Sequence, residues 1–150
     1  MQTLLRWLLI FLLLFNAAGA FFGGISLLLD PSGGRIQLPL ILLDGSPFRD
    51  YFLPGVFLIL INGILPLTAA AGLILRRPRA SLPLFPRQHW SWTLALLAGI
   101  GLIVWIAVQI ALLGYWKENP IQALYGILGI AIAALTLLPA LRRFYRLEKK

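Results

Sequence analysis

Residues 7–29 read WLLIFLLLFNAAGAFFGGISLLL. The stretch holds no Asp, Glu, Lys, Arg or His, and as a helix it is long enough to cross a hydrocarbon core of about 30 Å. Its reading decides the fold, because comparable stretches recur at 53–75, 92–113 and 121–141, each likewise free of Asp, Glu, Lys, Arg and His. The expected fold is therefore all-α: a four-helix transmembrane bundle forming a single integral membrane domain over 1–150.

Composition points the same way. Hydrophobic residues make up 60% of the chain and charged residues 12%, with a mean hydropathy of +0.89. A soluble domain carries about 25% charged residues, so lipid is the expected solvent. The first stretch also has features of a cleaved signal: Arg6, an apolar run over 8–15, and Ala18-Gly19-Ala20. The apolar run continues through Phe21, Phe22 and Ile25 to Leu29, however, so it reads as a retained span.

Basic residues in short loops set orientation. Arg76, Arg77, Arg79 and Arg87 lie between the second and third windows, and Arg142, Arg143, Arg146, Lys149 and Lys150 follow the fourth. Arg6 precedes the first. Between the first two windows, Arg35 and Arg49 face Asp30, Asp44 and Asp50, and Lys117 stands beside Glu118 in the last loop. Both termini are therefore expected in the cytoplasm of a cell whose inner membrane holds the chain. The net charge of +8 then reflects topology and attraction to anionic lipid headgroups, and no nucleic-acid partner is expected. Trp7, Trp90, Trp92, Tyr115 and Trp116 read as interfacial anchors.

Inside the spans, helices associate through small residues rather than through apolar burial. Gly19 and Gly23 stand at GxxxG spacing in the first window, Gly99 in the third, and Gly126 and Gly129 in the fourth. Depth matching pairs helix one with helix four near the outer face and helix two with helix three near the inner face. A homo-oligomer or a membrane protein partner could use the same glycine faces. The polar residues Asn16, Asn62 and Gln109 are the candidate intramembrane contacts. Asn16 and Asn62 fall near the midplane and are expected to bond each other or nearby backbone. Pro66 removes a backbone hydrogen bond and predicts a kink in the second span.

Several chemistries are excluded. With no cysteine there is no thiolate nucleophile, disulfide or iron–sulfur cluster. No carboxylate lies within a span, which argues against proton- or sodium-coupled export. His89, the only histidine, reads as an interfacial residue and cannot build a metal site alone. Phosphate loops and nucleophile elbows are absent. No cofactor, metal or catalytic residue is expected, and the chain does not read as an enzyme.

The segment between the first two windows is not a plain connector. It contains Asp30-Pro-Ser-Gly, Leu38-Pro39, Gly45-Ser-Pro-Phe48, Asp50-Tyr51 and Pro54-Gly55 around the apolar run 38–43. Four prolines restrict it, so an ordered extracytoplasmic cap is expected. Its candidate recognition residues are Asp30, Asp44, Phe48, Asp50 and Tyr51, with the acidic groups paired to Arg35 and Arg49. Through these motifs the chain resembles a group of small bacterial four-helix membrane proteins for which no activity is established. The resemblance implies a bacterial cytoplasmic membrane and an ordered outer loop, and it supplies no substrate. Two functions remain open: a structural, interaction or accessory membrane protein, or a small permease or channel-like protein for a neutral or apolar solute.

Overall fold

The computed structural model describes residues 1–77, 80–117 and 119–147. Arg79, Glu118, Lys149 and Lys150, which entered the reading of the loops and tail, lie outside the described residues, as do Pro78 and Glu148. The described chain is helical: α1 (Gln2–Leu29), α2 (Phe52–Leu75), α3 (Trp90–Leu113), α4 (Ile121–Leu137) and a short α5 (Pro139–Phe144). α1, α2 and α3 are long and apolar enough to cross a membrane, and α4 is a shorter apolar helix of 17 residues.

α4 ends earlier than the window 121–141 predicts. Leu138 leaves the helix with φ −52° and ψ 134°, because the Pro139 ring excludes its predecessor from helical geometry. Pro139 then opens α5, where its missing N–H costs nothing. At the other end, Asn119 Oδ1 accepts from the Ile121 amide at 3.1 Å, and the helix starts at Ile121, just after Pro120.

Neighbouring helices run antiparallel, as residue numbers at their contacts show. On α1 and α2, Gly24 meets Gly55 and Phe21 meets Gly63; on α2 and α3, Gly72 meets Trp90 and Ile61 meets Gly101; on α3 and α4, Gly99 meets Ala133 and Ile106 meets Gly126. α1 closes the ring against α4 and α5. Both termini therefore share one end, here the base, and the loop 30–51 sits at the opposite end, the crown.

The glycines do not follow the expected pairing by depth. Gly126 and Gly129 face α3 rather than α1, and Gly19 and Gly23 point to different neighbours, Tyr125 of α4 and Leu58 of α2. The tightest backbone crossings are α1 with α2 in the crown half, and α3 with α4. A Cβ on Gly24 would stand 3.0 Å from the Gly55 carbonyl oxygen, and one on Gly99 would stand 2.7 Å from the Ala133 nitrogen. The reason is angular: residues four apart on a helix are offset in direction, so a square bundle divides one small-residue stripe between two neighbours. α2 and α3 do meet closely near the base, where Gly72 lies against Ser91, and Ala69, Ala70, Ala95 and Ala98 are buried.

α2 carries a π-helical segment, Leu58–Ile64, in place of a simple kink. The Leu65 amide bonds to the Leu60 carbonyl, five residues back. Pro66 explains it. A regular turn would drive the proline ring into the carbonyl of residue 62, and widening the preceding turn relieves the clash.

At the base, the chain after α5 turns back on the loop before α3. The His89 amide donates to Tyr145 O at 2.8 Å, the Leu147 amide donates to Arg87 O at 2.9 Å, and Tyr145 Oη donates to Leu73 O at 3.0 Å. Two expectations are corrected here. Trp92 is a core residue rather than an interfacial anchor, with its indole N–H donating to Thr136 O at 2.8 Å. His89 is buried as the N-cap of α3, 2.8 Å from Ser91 Oγ through Nδ1.

Candidate functional site

Asn16 and Asn62 are wholly buried, each with 0% exposure. Both lie toward the base from the Gly24–Gly55 crossing, Asn16 eight residues along α1 and Asn62 seven residues along α2. At about 1.5 Å per residue the two displacements are about 12 and 10 Å, so the amides share one depth in the bundle. Asn62 belongs to the π-helical segment, four residues before Pro66, which ties its direction to the widened turn.

The expected hydrogen bond between them is not formed. Nδ2 and Oδ1 of Asn16, and Nδ2 and Oδ1 of Asn62, are all buried with no hydrogen-bond partner among the described residues. The helices explain much of the backbone side of this: most carbonyls in mid-span are already committed to their own ladders. An amide then finds a partner only where a neighbour presents a free polar atom. Thr68 and Thr136 differ, because their short hydroxyls bond back to Ile64 O and Ile132 O of their own helices. Leaving a buried amide atom unpaired costs about 1–3 kcal/mol. Such a group in a native fold calls for a reason.

Tyr125 of α4 brings a third polar group toward this level. Its ring stacks near Phe15, with centroids 6.3 Å apart, and its hydroxyl lies against Gly19, where any side chain would displace it. Gly19 is one turn from Asn16. Gln109 does not join the set. It is half-buried on α3, eight residues toward the crown from Gly101, whose face meets Ile61.

The crown loop is held from within. Asp30 accepts hydrogen bonds from the Ser32 hydroxyl, the Ser32 amide and the Arg35 amide. The Ser32 hydroxyl is the main cause that holds the Asp30 carboxyl below its usual value of 3.8, and the Arg35 amide and charge act in the same direction. Tyr51 is buried against Leu27 and Leu43, donates its amide N–H to Pro31 O at 2.9 Å, and donates through Oη to Pro39 O at 3.1 Å. Burial pushes its phenol pKa up. Gly33, at φ 79°, lets the chain pass beneath the Tyr51 ring. Phe48 packs on the same cluster. Asp50 accepts from the Phe52 amide at 2.9 Å and so starts α2, while Asp44 is exposed.

Of the recognition candidates, Asp30, Phe48, Asp50 and Tyr51 are thus spent on folding the loop. The Asp30 and Asp50 carboxylates are engaged by backbone amides, which need no ordering of a long side chain, and the Arg35 charge adds to the field at Asp30. Among the described residues no three His, Asp or Glu side chains form a group able to hold a metal.

Sequence reading missed Gln122. Buried at 1%, it accepts from the Trp116 amide at 2.9 Å and donates to Gly114 O at 3.2 Å, fastening the α3–α4 loop. Its place two residues after Pro120 is the only sequence signal: a first-turn amide can reach a preceding loop. No protein-family model matches the chain, and no curated protein or solved structure matches it.

Proposed function

We propose that the chain is a four-span protein of a bacterial cytoplasmic membrane, with both termini in the cytoplasm, that passes a small neutral hydrogen-bonding solute along its bundle. The observation that carries this reading is the set of four unpaired amide atoms on Asn16 and Asn62 at one buried depth. An amide offers both donors and an acceptor. Two of them buried at one depth therefore suit a neutral polar molecule that brings its own donors and acceptors. No Asp, Glu, Lys, Arg or His lies within the windows 7–29, 53–75, 92–113 and 121–141, so movement follows the solute gradient without ion coupling.

Both asparagines are sealed in the described conformation, and passage requires an opening. The π-helical segment supplies a place for it, since Leu58–Ile64 already departs from α geometry and Pro66 leaves one ladder position unbonded. The glycine faces named above are occupied by neighbouring helices of the same chain. That removes the reason for assigning them to a homo-oligomer.

The accessory or interaction reading, which the sequence alone puts first, is here placed second. It is favoured by the crown loop, where Leu40 and Ile41 are exposed at 44% and 70% on a segment fixed through Tyr51. Such a surface suits the membrane interface or another membrane protein. Proteoliposome shrinkage after mixing with urea or glycerol separates the two. Solute entry faster than in protein-free vesicles, lost in Asn16→Leu and Asn62→Leu, supports passage. Entry equal to protein-free vesicles leaves the accessory reading.

A further inference from the structure

The base of the bundle collects positive charge without a described counter-charge. Arg6, Arg76, Arg77, Arg87, Arg142, Arg143 and Arg146 all lie there, whereas Asp30, Asp44 and Asp50 belong to the crown loop at the other end. Among the described residues no carboxylate stands at the base.

Two of these arginines are placed by the fold. Arg76 closes α2 in the left-handed conformation at φ 56°, an arrangement that turns its side chain off the helix axis. Its guanidinium carbon sits 4.4 Å from the centroid of the Phe144 ring. Arg6 is half-buried in α1, with its guanidinium carbon 5.1 Å from the Trp7 ring centroid and its Nε buried without a hydrogen-bond partner among the described residues. Tyr145 packs with both helices. Its hydroxyl is fixed on Leu73 O, three residues before Arg76, and its ring belongs to the core cluster that includes Leu9 and Ile10 of α1, one turn past Arg6. The charges of both Arg6 and Arg76 act on the Tyr145 phenol. The first amides of α1 also point to this end, with no side-chain cap on them.

We propose that Arg6 and Arg76, seated on the Trp7 and Phe144 rings, form a binding site for a single phosphate group at the base of the bundle, supplied by the headgroup of an anionic lipid. A guanidinium presents a planar fork of donors that matches phosphate oxygens, and two forks from different helices fix a phosphate more narrowly than diffuse basic charge does. The aromatic rings of Trp7 and Phe144 orient those forks. The site lies where a phospholipid headgroup meets the base, and its acyl chains would lie along the exposed apolar sides of α1 and α2, lined by Leu4, Leu8 and Leu75. This inference is independent of the solute reading.

The test uses the full chain in nanodiscs of phosphatidylcholine alone and with added phosphatidic acid. Lipid retention is read by native mass spectrometry, and thermal stability is read in parallel. Phosphatidic acid is expected to be retained and to raise the melting temperature. Arg6→Gln and Arg76→Gln each weaken retention by about tenfold or more, the scale of one lost charged hydrogen bond. Arg6→Lys, which keeps the charge and perturbs folding least, falls between. Arg77→Gln, an exposed neighbour, matches the wild type. Inorganic phosphate at matched concentration distinguishes the source. Phosphate that protects alone, with the same variant pattern, assigns the site to a soluble phosphate and overturns the lipid headgroup. Equal losses in Arg77→Gln and Arg6→Gln overturn the site altogether and leave diffuse charge.

Discussion

The Tyr145 hydroxyl donates to the Leu73 carbonyl at 3.0 Å and so ties the segment after α5 to the last turn of α2, across 72 positions of sequence. That carbonyl belongs to the set that a helix leaves unpaired at its C-terminus, and Tyr145 satisfies it inside the protein. Tyr145→Phe keeps the ring and removes the bond. A loss of about 1 kcal/mol is expected, measured by unfolding in mixed micelles, with the largest change in protease access at the base loop 80–88.

The same residue predicts a pH dependence. Burial pushes the Tyr145 phenol up to about 12, against an unperturbed 10.0, with Arg6 and Arg76 partly opposing the shift. The folded state keeps the proton that the unfolded state releases first. Its contribution to stability is therefore full below about pH 10 and is lost as pH rises toward 12. Between those values the wild type should lose stability more steeply than Tyr145→Phe. Parallel stability curves for the two proteins would refute this assignment.

Two glycines that look alike in sequence should respond differently to alanine. A Cβ on Gly99 meets the Ala133 backbone nitrogen at 2.7 Å, which cannot yield without separating α3 from α4. A Cβ on Gly126 meets only Ile106 Cγ2 at 3.7 Å, an ordinary contact. Gly99→Ala is expected to cost about 1–3 kcal/mol through overpacking. Gly126→Ala should be neutral or slightly stabilising, since alanine also favours the helix. Thermal denaturation of the two variants side by side checks the contrast.

In the crown loop, Asp30→Asn weakens the acceptor that gathers Ser32 and Arg35. Cleavage after Arg35 by trypsin at neutral pH is expected to quicken. Because the Asp30 carboxyl is held below 3.8, its contribution is present above that value and lost as pH falls through the lowered one. With an acid-tolerant protease, the difference between wild type and Asp30→Asn should be constant above pH 5 and close in acid. A difference that persists unchanged in acid contradicts the role given to the ionised carboxylate.

How much of this was legible in the sequence follows from what each feature depends on. The long helices were legible because crossing a membrane demands uninterrupted apolar residues, and four charge-free windows say so directly. The break at Leu138 was also written in Pro139, but an apolar residue before a proline does not interrupt a hydropathy pattern. The shared depth of Asn16 and Asn62 followed from counting. Their failure to bond did not, because a hydrogen bond depends on side-chain direction to within about an ångström, and a π-helical turn shifts that direction. Glycine spacing revealed close helix contact but not the partner. Which neighbour a stripe meets is set by how four helices close into a ring. The crown-loop acids could be read as charges, yet their use as acceptors for nearby amides needed the backbone path.

The most direct measurement on the asparagine pair is the joint effect of Asn16→Leu and Asn62→Leu on stability and on urea entry into proteoliposomes. Leucine is close in volume and carries no unpaired amide. If the pair is kept for a solute, each substitution raises the melting temperature, by the equivalent of about 1–3 kcal/mol, while urea entry falls to the level of protein-free vesicles. If both variants instead unfold at lower temperature and entry is unchanged, the amides hold the helices together and the account of a polar solute site is wrong.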